Sequence, residues 1–348
     1  MKTLLQAFVH AISRIPAALA ELRHLPLQIL QMLRAICRRI RLQCRGEWPT
    51  RPSTGGCCLH LTDASVRPDP LIYSQPYLMA QGLAVTWDNP DIELFDDGTP
   101  VPSSALKPNH DYDVRVRVWN GSYNSAAINL PVHLSFLTFG ITTTSTAIAV
   151  KTIPMLGAKG SASHPATLTF TWRTPAQAGH YCLQAFLDCP DDANPDNNLG
   201  QENVQVGELA SPAKFRFAVR NTAAVRRAIV FEADTYELPA GTPCGDDYAH
   251  QFGERPYRSR LEESRAHWAW ARRTQPYGAF PVPDDWSVRI EPSRVVLARD
   301  EEQAVDVTIE PTGPAFTGRK AFNIRGFALS ADNATRQSIG GVTLHVTG

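Results

Sequence analysis

The stretch FTWRTPAQAGHYCLQAFLDCPDDANPDNN, residues 170–198, decides the fold class of this chain. From residue 181 to residue 187 a core-forming side chain recurs at every second position, which is the period of a β-strand. We expect the core-facing set to be Tyr181, Leu183, Ala185 and Leu187. Cys182 and Phe186 then face the opposite way, and the polar residues that follow Leu187 turn the chain.

The same alternation recurs along the rest of the chain. One face of a strand is predicted to carry Ile128, Leu130, Val132, Leu134 and Phe136. Other alternating runs are 114–118, 168–172, 215–219, 286–290, 305–309, 322–326 and 342–346. Many short strands separated by turn residues are typical of antiparallel β-sandwiches. The sequence therefore predicts a mainly β fold with two tandem immunoglobulin-like β-sandwiches, over residues 90–208 and 209–348.

The motifs of the first predicted sandwich follow one another in a recognisable order. Between Pro90 and Val206 they are PDIELFDDG, DVRVRVWNGSYNSA, FTWRTPAQAGHYCLQAFLD, NPDNN and ENVQV. In this order they resemble the bacterial cell-adhesion-related immunoglobulin-like family known as CARDB. The resemblance implies an extracytoplasmic or surface-assembly role. In the second sandwich, WSVRIEP and GGVTLHV resemble motifs of a bacterial immunoglobulin or fibronectin-like module.

Two aromatic residues of the deciding stretch are expected to be structural. Tyr181 opens its strand just after Gly179, as does the tyrosine of a tyrosine corner in immunoglobulin-like sandwiches. Its ring should pack inward while its hydroxyl bonds a nearby backbone group. Trp172 belongs to an alternating run and is expected in the core.

The first 46 residues differ from the rest of the chain in charge. They carry eight Lys or Arg residues and one acidic residue, Glu21, although the whole chain has zero formal net charge. Apolar residues recur at helical spacing with arginines on the polar side, so we expect a basic amphipathic helical segment bent at Pro16 and Pro26. The residues of this pattern are Leu5, Phe8, Ile12, Leu19, Leu33, Ile36, Arg34, Arg38, Arg39 and Arg41.

Three roles fit this segment. It can lie on an anionic membrane surface, associate with itself or a protein partner, or pack on the body of the protein. The sequence has no recognisable signal peptide or transmembrane span. A cytoplasmic or membrane-associated place is therefore expected, with surface assembly by unconventional export as the alternative. Residues 47–89 are rich in Pro, Gly and Ser and are predicted to be a linker whose end lies along the next domain.

The polar half of the deciding stretch allows two interpretations. Asp188, Asp191, Asp192, Asp196 and Asn198 could supply oxygen ligands to Ca²⁺, although their spacing is not that of an EF-hand. Asp and Asn side chains also bond nearby backbone amides and form turns, and the CARDB resemblance favours this structural role. The sequence predicts no other cofactor.

A helical insertion is predicted at about residues 240–283 of the second sandwich. A helix of about 260–273 follows Ser259 and Glu262, which match a capping box. The candidate interface residues of this insertion are Tyr257, Trp268, Trp270, Arg272 and Arg273. Their side chains can pack on the sandwich, contact a protein, or stack on sugars or bases.

No catalytic motif was found, so we expect a protein that is not an enzyme. The first hypothesis is a structural, adhesive or assembly protein. In it, the sandwiches mediate protein contacts or self-association, and the N-terminal helices attach to a membrane surface, a partner or another copy. The alternative is a ligand-binding module for a glycan or Ca²⁺. No nucleic-acid partner is expected.

Overall fold

The computed structural model describes residues 67–207, 213–238, 269–313, 316–330 and 332–348. The predicted helices of residues 1–46, residues 47–66 of the linker, and Tyr257 and Trp268 of the insertion lie outside the described residues. In the part described, the chain is mainly β, and its strands form four sheets. No helix of this part is long and apolar enough to cross a membrane.

The first sandwich is built from nine strands, and one helix lies in the segment that leads into it. Its strands are β1 Pro70–Leu71, β2 Ile92–Asp96, β3 Thr99–Val101, β4 Asp111–Asn120, β5 Ala127–Thr138, β7 Ser145–Leu156, β8 Ala166–Arg173, β9 Gly179–Leu187 and β10 Leu199–Val206. The short strand β6 Gly140–Ile141 lies between β5 and β7 in the chain but belongs to a sheet of the second sandwich. Helix α1 is Gln75–Ala80. In one sheet, β4 pairs with β1, β2 and β8, and β3 pairs with β2. The second sheet has the order β10-β9-β5-β7.

The second sandwich also pairs two sheets around an apolar core. Its strands are β11 Ala213–Arg220, β12 Arg227–Asp234, β13 Trp286–Glu291, β14 Arg294–Leu297, β15 Glu302–Pro311, β16 Arg319–Leu329 and β17 Arg336–Thr347. The sheet orders are β13-β15-β11-β6 and β14-β12-β16-β17. Each core is filled by the alternate apolar residues of its strands, as the period-two pattern requires.

The deciding stretch forms β9 and the turn after it. Tyr181, Leu183, Ala185 and Leu187 all lie in the first core. Cys182 and Phe186 are also buried, because the outer face of this sheet is covered rather than open to solvent. The residue pattern alone gave no sign of this second covering layer.

Strand β5 departs from the expected phase at its start. Asn129 adopts a left-handed backbone with φ 49°, although the register to β7 is unchanged from Ile128, opposite Met155, to Leu130, opposite Ile153. Ala127 and Leu130 are buried, whereas Ile128 turns outward and is 62% exposed. The prediction that Ile128 shares a face with Leu130 was therefore wrong.

The connection from β5 to β7 belongs to the second sandwich. β6 pairs in parallel with β11, where Ala218 is opposite Gly140 and Val219 is opposite Ile141. Phe139 and Ile141 lie in the second core. A Cβ on Gly140 would lie 2.1 Å from the carbonyl oxygen of Ala218, so glycine is required at this close approach. One sandwich thus supplies an edge strand to the other.

The end of the predicted linker is ordered against β10. Gln75 is fully buried and donates to the carbonyl oxygens of Thr86, at 3.1 Å, and Gln201, at 2.6 Å. Trp87 is also buried, and its carbonyl accepts from the amide of Asn203 at 2.8 Å. The bonds to Gln201 and Asn203 hold this segment against β10 of the first sandwich.

Candidate interaction surface

Strands β5 and β7 form an antiparallel two-strand ribbon with an exposed apolar face, which we call the β5–β7 ribbon. Ile128 lies directly opposite Met155, and His133 lies opposite Val150. Met155 is 53% exposed and Val150 is 57% exposed. Among the described residues, three of the six large exposed hydrophobic side chains lie on this ribbon. Concentrated apolar exposure of this kind marks a contact surface more often than scattered single residues do.

The ribbon also ends in an open edge. β7 is the last strand of the order β10-β9-β5-β7 and is 12 residues long. Its charged residue, Lys151, donates to the carbonyl oxygen of Thr169 at 2.6 Å and lies over the ring of Phe170. Lys151 therefore bridges to β8 of the other sheet. In the part of the chain that the structure describes, no strand pairs with the outer edge of β7.

The second region of interest is a polar contact between the two sandwiches, which we call the seam. At its centre, the buried Thr343 of β17 accepts from the amide of Trp87 at 2.7 Å and donates to Asn323 Oδ1 at 2.6 Å. The carbonyl of Thr343 accepts from Asn203 Nδ2 of the first sandwich at 3.3 Å. The Thr86 hydroxyl lies 3.2 Å from that of Thr343. One threonine thus bonds to three segments of the chain.

Close packing in the seam depends on a glycine beside this threonine. A Cβ on Gly341 would lie 2.3 Å from a ring carbon of Trp87. The Trp87 indole donates in turn to Gln201 Oε1 at 3.3 Å. Gly341 therefore lets the indole lie directly against β17, which fixes the distance between the sandwiches.

Two histidines of the seam are held in the neutral form. His180 of β9 contacts the rings of Phe139 and Phe215, and burial lowers its pKa to about 4, with a smaller contribution from His345. Burial and, to a smaller extent, the Arg319 guanidinium lower the pKa of His345 to about 3. Arg319 Nε lies 3.1 Å from His345 Nδ1. Asp88 completes the group, 3.7 Å from Arg319 Nη2.

A carboxyl group is buried beside these histidines. Burial raises the pKa of Glu202 well above its ordinary value, and the nearby Asp88 raises it further. The Asn89 amide and the Ser103 side chain bond to Glu202. With His180 and His345, Ser103 lines a small polar cleft. Asn203 and Gln205 also line this cleft.

A buried ion pair extends the seam into the second sandwich. Arg325 Nε lies 2.9 Å from Asp234 Oδ2, and both side chains are almost fully buried. Asn323 donates to Asp234 Oδ1 at 2.6 Å, and Arg325 lies over the ring of Tyr277. Burial raises the pKa of Asp234, and Arg325 opposes that rise. Asn323 thereby connects the ion pair to Thr343.

The polar loop after β9 uses its side chains in the turn. Buried Asp192 accepts from the amide of Asn194 at 2.8 Å and from Asn198 Nδ2 at 2.6 Å. Asp191 accepts through its backbone carbonyl from Arg67, and Asp188 lies 3.8 Å from His133. Asp196 lies in a 3₁₀ turn at Pro195–Asn197. In the described ranges, no three His, Cys, Asp or Glu side chains are grouped as metal ligands.

The remaining predicted site residues lie apart from this loop. Tyr181 donates through its hydroxyl to the carbonyl of Gln177 at 2.8 Å, four residues upstream, as a tyrosine corner does. Trp172 is buried, and its ring centroid lies 6.0 Å from that of Phe136. In the insertion, residues 269–274 are helical, Trp270 is half-buried, and Arg272 and Arg273 are exposed.

Sequence reasoning missed the seam, although one signal was present. Thr343 and His345 occupy the polar phase of β17, which would face solvent in an isolated sandwich. The glycine pair that precedes them could have indicated close packing against another segment. Since the sequence does not identify Trp87 as the partner of this segment, however, its pattern predicts only an ordinary last strand of a sandwich.

No family model matches the chain, and no curated protein matches it. Among solved structures, the chain is similar to the CARDB domain of PF1109 from Pyrococcus furiosus. The solution structure of that domain matches with 21% identity and a TM-score of 0.26, over 40% of this chain and 95% of that chain. The crystal structure, described as a complex with di-metal ions, matches with 19% identity and a TM-score of 0.27, over 45% of this chain and 100% of that chain.

A longer match is to Salmonella alpha-2-macroglobulin. It covers 74% of this chain and 16% of that chain, with 10% identity and a TM-score of 0.22. The resemblance to CARDB that the motifs indicated is thus found again as a structural likeness over about 40% of the chain. At these identities and TM-scores, the likenesses concern the fold and say nothing of activity, ligand or partner.

Proposed function

We propose that this chain is a non-enzymatic assembly or adhesive protein, and that the β5–β7 ribbon is a surface by which it contacts other protein. The exposed pair of Ile128 and Met155 beside an open strand edge is the single observation that carries the proposal. Apolar side chains give such a surface affinity, and the strand edge offers backbone hydrogen bonds.

The seam supports a structural role for the rest of the body. Thr343 of the second sandwich accepts from the Trp87 amide at 2.7 Å and, through its carbonyl, from Asn203 Nδ2 of the first sandwich at 3.3 Å. These hydrogen bonds join the two sandwiches. The basic N-terminal segment would attach the body to a membrane surface, a partner or another copy.

Affinity purification from the native host tests this proposal. Tagged full-length chain is compared with the double variant Ile128→Glu/Met155→Glu and with the control Val225→Glu, whose side chain is 61% exposed on the other sandwich. Proteins that copurify with the unmodified chain and the control should be lost from the double variant. An unchanged set of copurifying proteins, with all three chains equally folded by circular dichroism, would refute the ribbon as the contact surface.

A further inference from the structure

We infer that the second sandwich contains a binding site for a short extended strand, which residues 139–142 occupy as a built-in ligand and which a free peptide of the same sequence can fill. We call residues 139–142 the donor segment. The site, which we call the socket, consists of residues 217–219 of β11 together with Gly326 and Gly340. The donor segment lies in the connection between β5 and β7, so by sequence it belongs to the first sandwich. The inference does not depend on the β5–β7 ribbon as a contact surface.

The backbone of the donor segment completes the edge of a sheet. β6 is the last strand of the order β13-β15-β11-β6, so β11 would be an edge strand without it. The amide of Ala218 donates to the carbonyl oxygen of Phe139 at 3.2 Å. Beyond β6, the hydroxyl of Thr142 donates to the carbonyl oxygen of Arg220. Pairing of an extended segment with a free sheet edge is a general mode of peptide recognition.

The socket also holds space for the side chain of Ile141. Gly326 of β16 and Gly340 of β17 lie opposite each other in the register. A Cβ on Gly326 would lie 2.9 Å from Ile141 Cδ1, and a Cβ on Gly340 would lie 3.3 Å from Ile141 Cγ2. The two facing glycines therefore leave the space that the isoleucine fills. Phe139 packs in the same core, with its ring centroid 6.3 Å from that of Phe217.

These contacts define the class of ligand that the socket takes. The first residue of the ligand is aromatic, and the third is a branched aliphatic residue that enters the space between the glycines. The second must be glycine, because a Cβ at position 140 would lie 2.1 Å from the carbonyl oxygen of Ala218. All of these contacts come from the donor segment itself, so a short peptide can make them without the rest of the first sandwich.

Complementation of the full-length chain by a peptide tests the inference. In the double variant Phe139→Ser/Ile141→Ser the built-in ligand loses both apolar side chains, so the melting temperature should fall by about 5 °C or more. A synthetic peptide with the sequence of residues 137–144, LTFGITTT, should raise it again as the peptide concentration increases, because a ligand of the folded state stabilises that state. The same peptide with valine at the position of Gly140 should leave the melting temperature of the variant unchanged. LTFGITTT should not stabilise the unmodified chain, whose socket is filled.

Two results of this experiment would overturn the inference. They are a double variant that LTFGITTT does not stabilise, and a double variant that the valine peptide stabilises equally well.

If the double variant does not fold, the milder variant Ile141→Ala keeps the inference testable. Its matched control is Val296→Ala, on a branched residue of the same sandwich that is 45% exposed. Hydrogen exchange across Ala213–Arg220 should be faster in Ile141→Ala than in the control, and LTFGITTT should slow it. Exchange of this strand that is equal in the two variants, or that the peptide does not change, would overturn the inference. Since none of these measurements involves host proteins, their failure leaves the proposed function of the β5–β7 ribbon unaffected.

Discussion

Replacement of Thr343 by valine should strongly destabilise the folded protein, although the two side chains have nearly the same shape. Valine keeps the methyl group and removes the hydroxyl, which bonds to the Trp87 amide at 2.7 Å and to Asn323 Oδ1 at 2.6 Å. Both partners then remain buried without a hydrogen bond, and each unsatisfied group destabilises the folded state by about 1–3 kcal/mol. The expected loss in free energy of unfolding is about 2–5 kcal/mol.

Urea denaturation of the full chain measures this loss. Thr343→Ser is the matched variant, since it keeps the hydroxyl and should lose only about 1 kcal/mol for the missing methyl group. Thr171→Val on the exposed face of β8 should change the free energy of unfolding by less than about 0.5 kcal/mol. If Thr343→Val is as stable as Thr343→Ser, the bonds of Thr343 do not hold the seam.

Three further predictions concern the seam, the tyrosine corner and the polar loop. Acidification from pH 7 to pH 4 should destabilise the fold through His180 by about 3 kcal/mol, because its pKa is about 4 when folded and the unfolded imidazole takes up a proton first. Glu202 acts in the opposite sense, since its raised pKa makes the folded state take up a proton first. His180→Asn should reduce the loss in free energy of unfolding between pH 7 and pH 4, measured by urea denaturation. An unchanged pH dependence in this variant would contradict the role of His180. Tyr181→Phe should lower the free energy of unfolding by about 1 kcal/mol, because the bond to Gln177 is lost, and urea denaturation with an unchanged midpoint would contradict this. Asp192→Ala should lower the melting temperature by the same amount with calcium as with chelator, since the carboxylate bonds within the turn, whereas a calcium-dependent shift in the unmodified chain would favour the metal site.

The parts of the fold that follow from local alternation could be predicted from sequence. The core-facing set of β9 is one example, since each of its residues is determined by the pleat of a single strand. The strands around Val307 and Leu344 follow for the same reason. The outward turn of Ile128 did not follow, because it depends on the left-handed backbone of Asn129 and not on hydrophobicity.

The contacts between sandwiches could not be predicted, since they join residues far apart in the chain. Trp87 and Thr343 are 256 positions apart, and neither carries a motif that names the other. β6 was equally hidden, because Gly140 and Ile141 form a strand only by pairing with Ala218 and Val219. The candidate surface could be predicted only in part. The apolar character of β7 can be recognised in the sequence, but its position at the edge of a sheet is known only from the strand order.

Hydrogen exchange tests the central claim most directly, because it reads the backbone of the β5–β7 ribbon itself. Assemblies isolated from the native host with the tagged full-length chain are compared with the dissociated chain. We expect slower exchange across Ser145–Leu156 in the assemblies and unchanged exchange across the second sandwich's edge strand, Arg294–Leu297. Equal exchange of Ser145–Leu156 in both samples, with protection at another surface, would contradict it.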